Sequence, residues 1–103
     1  MRVELLVIED CPHEAPAGAL LRRALDDIGL ATTSFNVIVV NSEPDADRLS
    51  FLGSPTFRAD GRDLFSQPDR PPALACRMYG PGQALPGLHE LRRALKETAA
   101  TAI

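Results

Sequence analysis

The chain carries two thiols, Cys11 and Cys76. Cys11 opens the run Cys11-Pro12-His13-Glu14, directly after the apolar Val3, Leu5, Leu6, Val7 and Ile8 and ahead of a long amphipathic stretch. A thiol where a first strand passes into a first helix meets backbone N–H groups without intrahelical partners, which favour the thiolate. The thiolate is the form that attacks a disulfide or another soft electrophile. A helix N-terminus supplies about 0.3–1 kcal/mol of this effect, or about 2 kcal/mol when partly buried. Protonated His13 adds to it, while Glu9, Asp10 and Glu14 act against it with comparable strength. The expectation is at most a modestly activated thiol, with a reactive nucleophile and an inert relic both open.

A Cys-x-x-Cys redox pair would place its second cysteine at position 14, where this chain has Glu14. Resolution of an adduct on Cys11 then falls to an external thiol such as glutathione, or to Cys76. Cys76 also has a plainer reading as a small buried hydrophobe. A Cys11–Cys76 disulfide would contribute about 4 kcal/mol through the unfolded chain in the entropy account. Glu14 reads most simply as a first-turn acid favoured by the helix dipole, with general-acid work as the sharper alternative. His13 reads as an exposed modulator of Cys11, and His89 as a surface residue. No Cys-x-x-Cys or His-x-x-x-His spacing builds a closed zinc site, and no phosphate loop, dinucleotide fingerprint or nucleophile elbow occurs. Neither a cofactor nor a metal is expected, although two thiolates could share a soft ion.

These residues need elements to position them. Residues 3–8 alternate poorly, as a strand buried on both faces does, so the first strand is expected at the centre of a sheet. Ala17, Leu20, Leu21, Ala24, Leu25 and Ile28 define one helical face, with Arg22–Asp26 and Arg23–Asp27 pairs opposite and Gly29 as the stop. Two prolines compete for its start: Pro12 at the first helical position, leaving Cys11 as N-cap, or a start near Pro16 with Cys11 on a loop. Residues 34–40 form a second strand, and Ser42 caps a short helix from Asp45 to Leu52 that Gly53 closes. Asp60-Gly61 joins two short antiparallel strands, with Arg58 and Arg62 solvated beside the turn. Residues 66–87 hold five prolines and read as a long returning loop with an extended piece at 74–79, in which Tyr79 packs or acts as a lid. Leu88, Leu91, Leu95 and Ala99 mark a last helix, with the tail from Thr101 to Ile103 fraying.

At 103 residues there is room for one domain, 1–103, around one core. Apolar residues at 45% and charged residues at 24% make an ordinary globular mixture. A net charge of −3 without a basic stripe argues against nucleic acid. The apolar run in the opening MRVELLVIED is too short for a signal h-region, no small-residue cleavage site follows it, and no stretch approaches the ~20 apolar residues of a membrane span, so a cytoplasmic protein without a membrane partner is expected.

The order βαβα, hairpin, helix, with Cys11-Pro12-His13 after the first strand and Ser54-Pro55-Thr56 before the third, resembles the thioredoxin fold over most of the chain except 66–87. The resemblance implies an α/β domain, βαβαββα, with a mixed four-stranded sheet and helices on both faces. It also implies that Ser54-Pro55-Thr56 is a cis-proline loop that abuts Cys11 and offers backbone hydrogen bonds to an extended substrate. More narrowly, the run from Phe51 to Asp63 followed by Ala75-Cys76-Arg77-Met78-Tyr79 resembles small thioredoxin-like proteins often labelled alkylmercury-lyase-like. Organomercurial lyases use two cysteines and a carboxylate, types that Cys11, Cys76 and Glu14 or Asp10 could supply. The leading expectation is a single-cysteine thiol/disulfide oxidoreductase acting on a protein or low-molecular-weight thiol or disulfide. A non-catalytic binding module and a soft-metal or organomercurial thiol site are the alternatives.

Overall fold

The structure, a computed structural model, describes residues 1–101. The elements run β1 (Val3–Ile8), α1 (Glu14–Asp27), β2 (Phe35–Val40), α2 (Glu43–Leu49), β3 (Thr56–Ala59), β4 (Arg62–Asp63) and α3 (Leu88–Thr101). The strands form one mixed sheet in the order β2-β1-β3-β4. β1 runs parallel to β2 and antiparallel to β3, and β3 and β4 form a hairpin. Asp60 and Gly61 turn that hairpin with φ of 51° and 80°, the left-handed pair that a two-residue loop demands. No helix among the described residues is long and apolar enough to cross a membrane.

The poor alternation of residues 3–8 has its reason in the layers. Val3, Leu5 and Val7 enter a core with Ala17, Leu21, Ala24 and Leu25 of α1, Leu91 and Leu95 of α3, and Phe57. Leu6, on the opposite face, packs with Val40, Ala46 and Phe51 on the α2 side. Helices therefore cover both faces of β1, and its ends fix where Cys11 emerges. β2 is an edge strand, with Val37 and Val39 left 45% and 49% exposed.

Several boundaries differ from the sequence-based expectation. Of the two starts open for helix α1, the one near Pro16 with Cys11 ahead of the helix holds, and Pro12 is outside it: Glu14 is the first residue and His13 the N-cap. Pro16 is then the third helical residue, among the first four whose N–H groups have no partner within the helix, so it costs no ladder bond. Helix α2 spans 43–49 rather than 45–52, because Ser50 turns left-handed at φ 52°. Its cap is as expected, with Asp45 N–H donating to Ser42 Oγ at 3.2 Å. In α3 the buried residues are Leu91 and Leu95; Ala99 is exposed, and Arg92 ties the helix to Asp27 of α1 at 2.9 Å. Thr101 ends the helix, while the remaining tail residues expected to fray, 102–103, lie outside the described residues.

Candidate functional site

Cys11 follows β1 on a turn closed by the Glu14 N–H, which donates to the Cys11 carbonyl at 3.2 Å. This helix-terminal N–H therefore meets the backbone oxygen of Cys11 and not its sulfur. The sulfur is buried, with the residue 8% exposed, and its hydrogen-bond partner is the Ser54 hydroxyl, which donates to Sγ at 3.0 Å. Ser54 Oγ in turn accepts the Ile8 N–H at 3.0 Å. The result is a short relay from the end of β1 through a fully buried serine to the thiol. The backbone donor orients the hydroxyl, leaving its proton for the sulfur, and a donated hydrogen bond stabilises negative charge that develops there.

Ser54 also has a neighbour on its backbone side. Its N–H donates to Ala75 O at 2.8 Å and its carbonyl accepts the Arg77 N–H at 2.9 Å, a parallel bridge that sets Cys76 opposite Ser54. Adjacent strands lie about 4.8 Å apart, so Cys76 stands one strand spacing from the serine that touches Cys11. Gly53 makes this approach feasible: at φ 124° it lacks the Cβ that would stand 2.9 Å from Arg77 Cβ.

The segment is anchored by Arg77, which the sequence does not single out. Its side chain is buried and donates to Asp63 Oδ2 at 2.8 Å, Thr56 Oγ1 at 3.1 Å and Phe65 O at 2.6 Å. Thr56 Oγ1 passes its own proton to Gly53 O at 2.6 Å. The guanidinium lies 4.8 Å from the centre of the Tyr79 ring, which packs edge-on against Phe57 and Phe65. The Tyr79 hydroxyl donates to Pro55 O. Burial pushes the Tyr79 hydroxyl pKa well above its usual value, with the Arg77 cation opposing and the Asp63 carboxylate reinforcing the shift.

The structure thus puts Ser54 in contact with both cysteine segments, its hydroxyl on Cys11 Sγ and its backbone paired across from Cys76, and joins Pro55 and Thr56 to the Arg77 cluster through Tyr79 and Arg77. The Ser54–Pro55 peptide is cis. The polar groups of residues 54–56 expected to receive a substrate backbone are engaged from within: those of Ser54 by residues 75 and 77, Pro55 O by Tyr79, and Thr56 Oγ1 by Arg77. Cys76 is exposed, not the buried hydrophobe expected, because a strand-like step turns only one of two successive side chains inward and Arg77 takes that place. His13 is half-buried rather than exposed, and Glu14 is half-buried; neither side chain makes a hydrogen bond or ion pair among the described residues. Glu9 and Asp10 are exposed, as is His89. Arg58 is half-buried, not solvated, and donates to Leu49 O. Among the described residues no group of three or more His, Cys, Asp or Glu side chains is arranged to hold a metal ion.

Only the Arg77 cluster lacked any signal: Asp63 and Arg77 are 14 positions apart across an aperiodic loop. Chemically, the arrangement offers one shielded sulfur with a directed proton donor and a second, exposed cysteine on the segment whose backbone pairs with the same serine. Compared with family models, curated proteins and solved structures, the chain finds no match.

Proposed function

We propose that the chain is a thioredoxin-like thiol protein that carries out thiol–disulfide exchange, with Cys11 as nucleophile and Cys76 as the resolving thiol. The observation that carries this reading is Ser54, which hydrogen-bonds Cys11 Sγ at 3.0 Å and pairs with Cys76 through its backbone. The strand order, with Cys11 after β1 and Ser54-Pro55 before β3, also suits a thioredoxin-like frame. The chemistry runs in two balanced steps. The Cys11 thiolate attacks one sulfur of a disulfide, a Cys11–sulfur bond forms, and the other half leaves as a thiolate that takes a proton from water. The Cys76 thiolate then attacks Cys11 Sγ and expels the first half, leaving a Cys11–Cys76 disulfide and a substrate reduced by two electrons. The low exposure of Cys11 favours a small disulfide over a protein one. A cytoplasmic setting, where thiols are kept reduced, completes the reading.

Treatment with glutathione disulfide, followed by mass spectrometry, tests it. The wild type should accumulate the intramolecular disulfide, Cys76→Ser should stop at a glutathione adduct on Cys11, and Cys11→Ser should form an adduct on the exposed Cys76 only slowly. An adduct that builds equally fast in Cys11→Ser would overturn the assignment. The same two cysteines, one bonded to the Ser54 hydroxyl and one on the segment paired with its backbone, favour one further reading, a soft-metal site. Mercuric ion should then bind one per chain, with tight binding lost in either serine variant.

A further inference from the structure

A second feature lies apart from the thiols, where the C-terminal end of α2 meets β3, β4 and the loop after them. A cleft of about 520 Å3 opens there, lined by three arginines, Arg48, Arg58 and Arg70, and by the polar groups of Ser50, Ser66 and Gln67. That volume is in the range of small-ligand sites, roughly 300–1,000 Å3. Its charges do not balance internally. Asp63, its carboxylate, is committed to Arg77 at 2.8 Å, and Arg48 is paired with Asp45 at 3.3 Å. Arg70 reaches only the neutral side chain of Gln67, at 3.1 Å.

Arg58 is the informative residue. It projects from β3 and is half-buried, yet no carboxylate lies within ion-pair distance of it among the described residues. Its Nη2 donates to Leu49 O, and its Nε, like that of Arg77, is sealed from solvent without a partner, so an anion in the cleft would meet the terminal nitrogens of the guanidinium. A guanidinium has five N–H donors and a permanent charge, and one withdrawn from water is normally matched by a carboxylate or phosphate. In a chain of net charge −3 this cleft concentrates unmatched positive charge.

We propose that the cleft binds a small ligand bearing an oxyanion, a phosphate or carboxylate group, which Arg58 and Arg70 hold by charge-assisted hydrogen bonds. The site is separate from the thiol chemistry, and its test does not depend on it. Amide and arginine side-chain NMR spectra of the full chain are titrated with inorganic phosphate or with succinate at constant ionic strength. The expected result is a saturable shift confined to residues 48–50, 58–61 and 66–70, with affinity reduced about tenfold in Arg70→Gln and at least as much in Arg58→Gln. Tighter binding of phosphate assigns a phosphorylated ligand, and tighter binding of succinate a carboxylated one. Arg70 is exposed, so its variant should keep the fold and remains decisive if Arg58→Gln does not fold. Shifts that sodium chloride reproduces, or that Arg70→Gln leaves unchanged, overturn the proposal and leave Arg58 as a clamp on the end of α2.

Discussion

Two buried polar groupings flank the short stretch from Gly53 to Thr56, and they are built on opposite principles. On one side Arg77 meets Asp63, Thr56, Phe65 and the face of Tyr79, so most of its donors are used and its charge is neutralised. On the other side Cys11 Sγ has a single donor, Ser54 Oγ, and one of its lone pairs is free. A cluster with this many contacts fixes positions, because every displacement breaks several interactions at once, even though Arg77 Nε itself is buried without a partner. A sulfur with one partner is held in place but left able to form a bond. The contrast suggests a division of labour: Arg77 pins the segment that carries Cys76, and Ser54 presents Cys11.

The largest expected effect comes from breaking the densely bonded side. Arg77→Ala leaves Asp63 without its partner and removes the anchor of residues 75–79. Loss of one member of a buried pair costs about 3–5 kcal/mol, so urea unfolding should show a drop in that range. A drop below about 1 kcal/mol would mean that the cluster does not hold the segment. Where the variant still folds, oxidation to a Cys11–Cys76 disulfide should slow, because Cys76 no longer sits opposite Ser54.

Tyr79→Phe is a milder cut into the same side. It removes the hydroxyl bond to Pro55 O but keeps the ring packing, so a loss of about 1 kcal/mol is expected. Its sharper readout is pH. The hydroxyl pKa is raised in the folded state, so on going above about pH 10 the unfolded chain releases this proton first. The folded state then holds more protons than the unfolded one, and stability falls as pH rises, by at most about 1.4 kcal/mol per unit from this group. The wild type should lose this increment of stability above pH 10, and Tyr79→Phe should not. Parallel stability curves for the two proteins would show that the hydroxyl is not buried as described.

The two sides also differ in how readable they are from sequence. The strand-turn-helix that carries Cys11 announces itself through local rules: an apolar run, a helical period from Ala17 to Ile28, and Ser42 and Asp60-Gly61 at turn positions. Ser54-Pro55-Thr56, before β3, is legible only through its resemblance to a cis-proline loop. What the sequence hides is non-local. Nothing near Arg77 indicates that Asp63 and Phe65 O wait for it, so the inward turn of Arg77 and the outward turn of Cys76 follow only from the assembled fold. The sequence leaves the helix start open for a related reason. Either proline satisfies the propensity rules, and the choice of Glu14 depends on how the Cys11 turn closes against the end of β1.

The smallest expected change in stability belongs to Ser54→Ala, which tests the sparse side directly. The variant removes one hydrogen bond to sulfur and one acceptor for the Ile8 N–H, a bond that is only partly buried. A stability loss of about 1 kcal/mol is therefore expected, similar to that of Tyr79→Phe or smaller. Reactivity should separate the two. If the Ser54 proton stabilises charge on the sulfur by the usual 0.5–1.5 kcal/mol, alkylation of Cys11 by iodoacetamide at neutral pH should slow by roughly two- to tenfold in Ser54→Ala. The same rate should stay unchanged in Tyr79→Phe, whose hydroxyl serves Pro55 and not the thiol. Equal slowing in both variants would show that the two sides act as one packed unit. Slowing in Ser54→Ala alone would make the serine the residue through which the fold acts on its thiol.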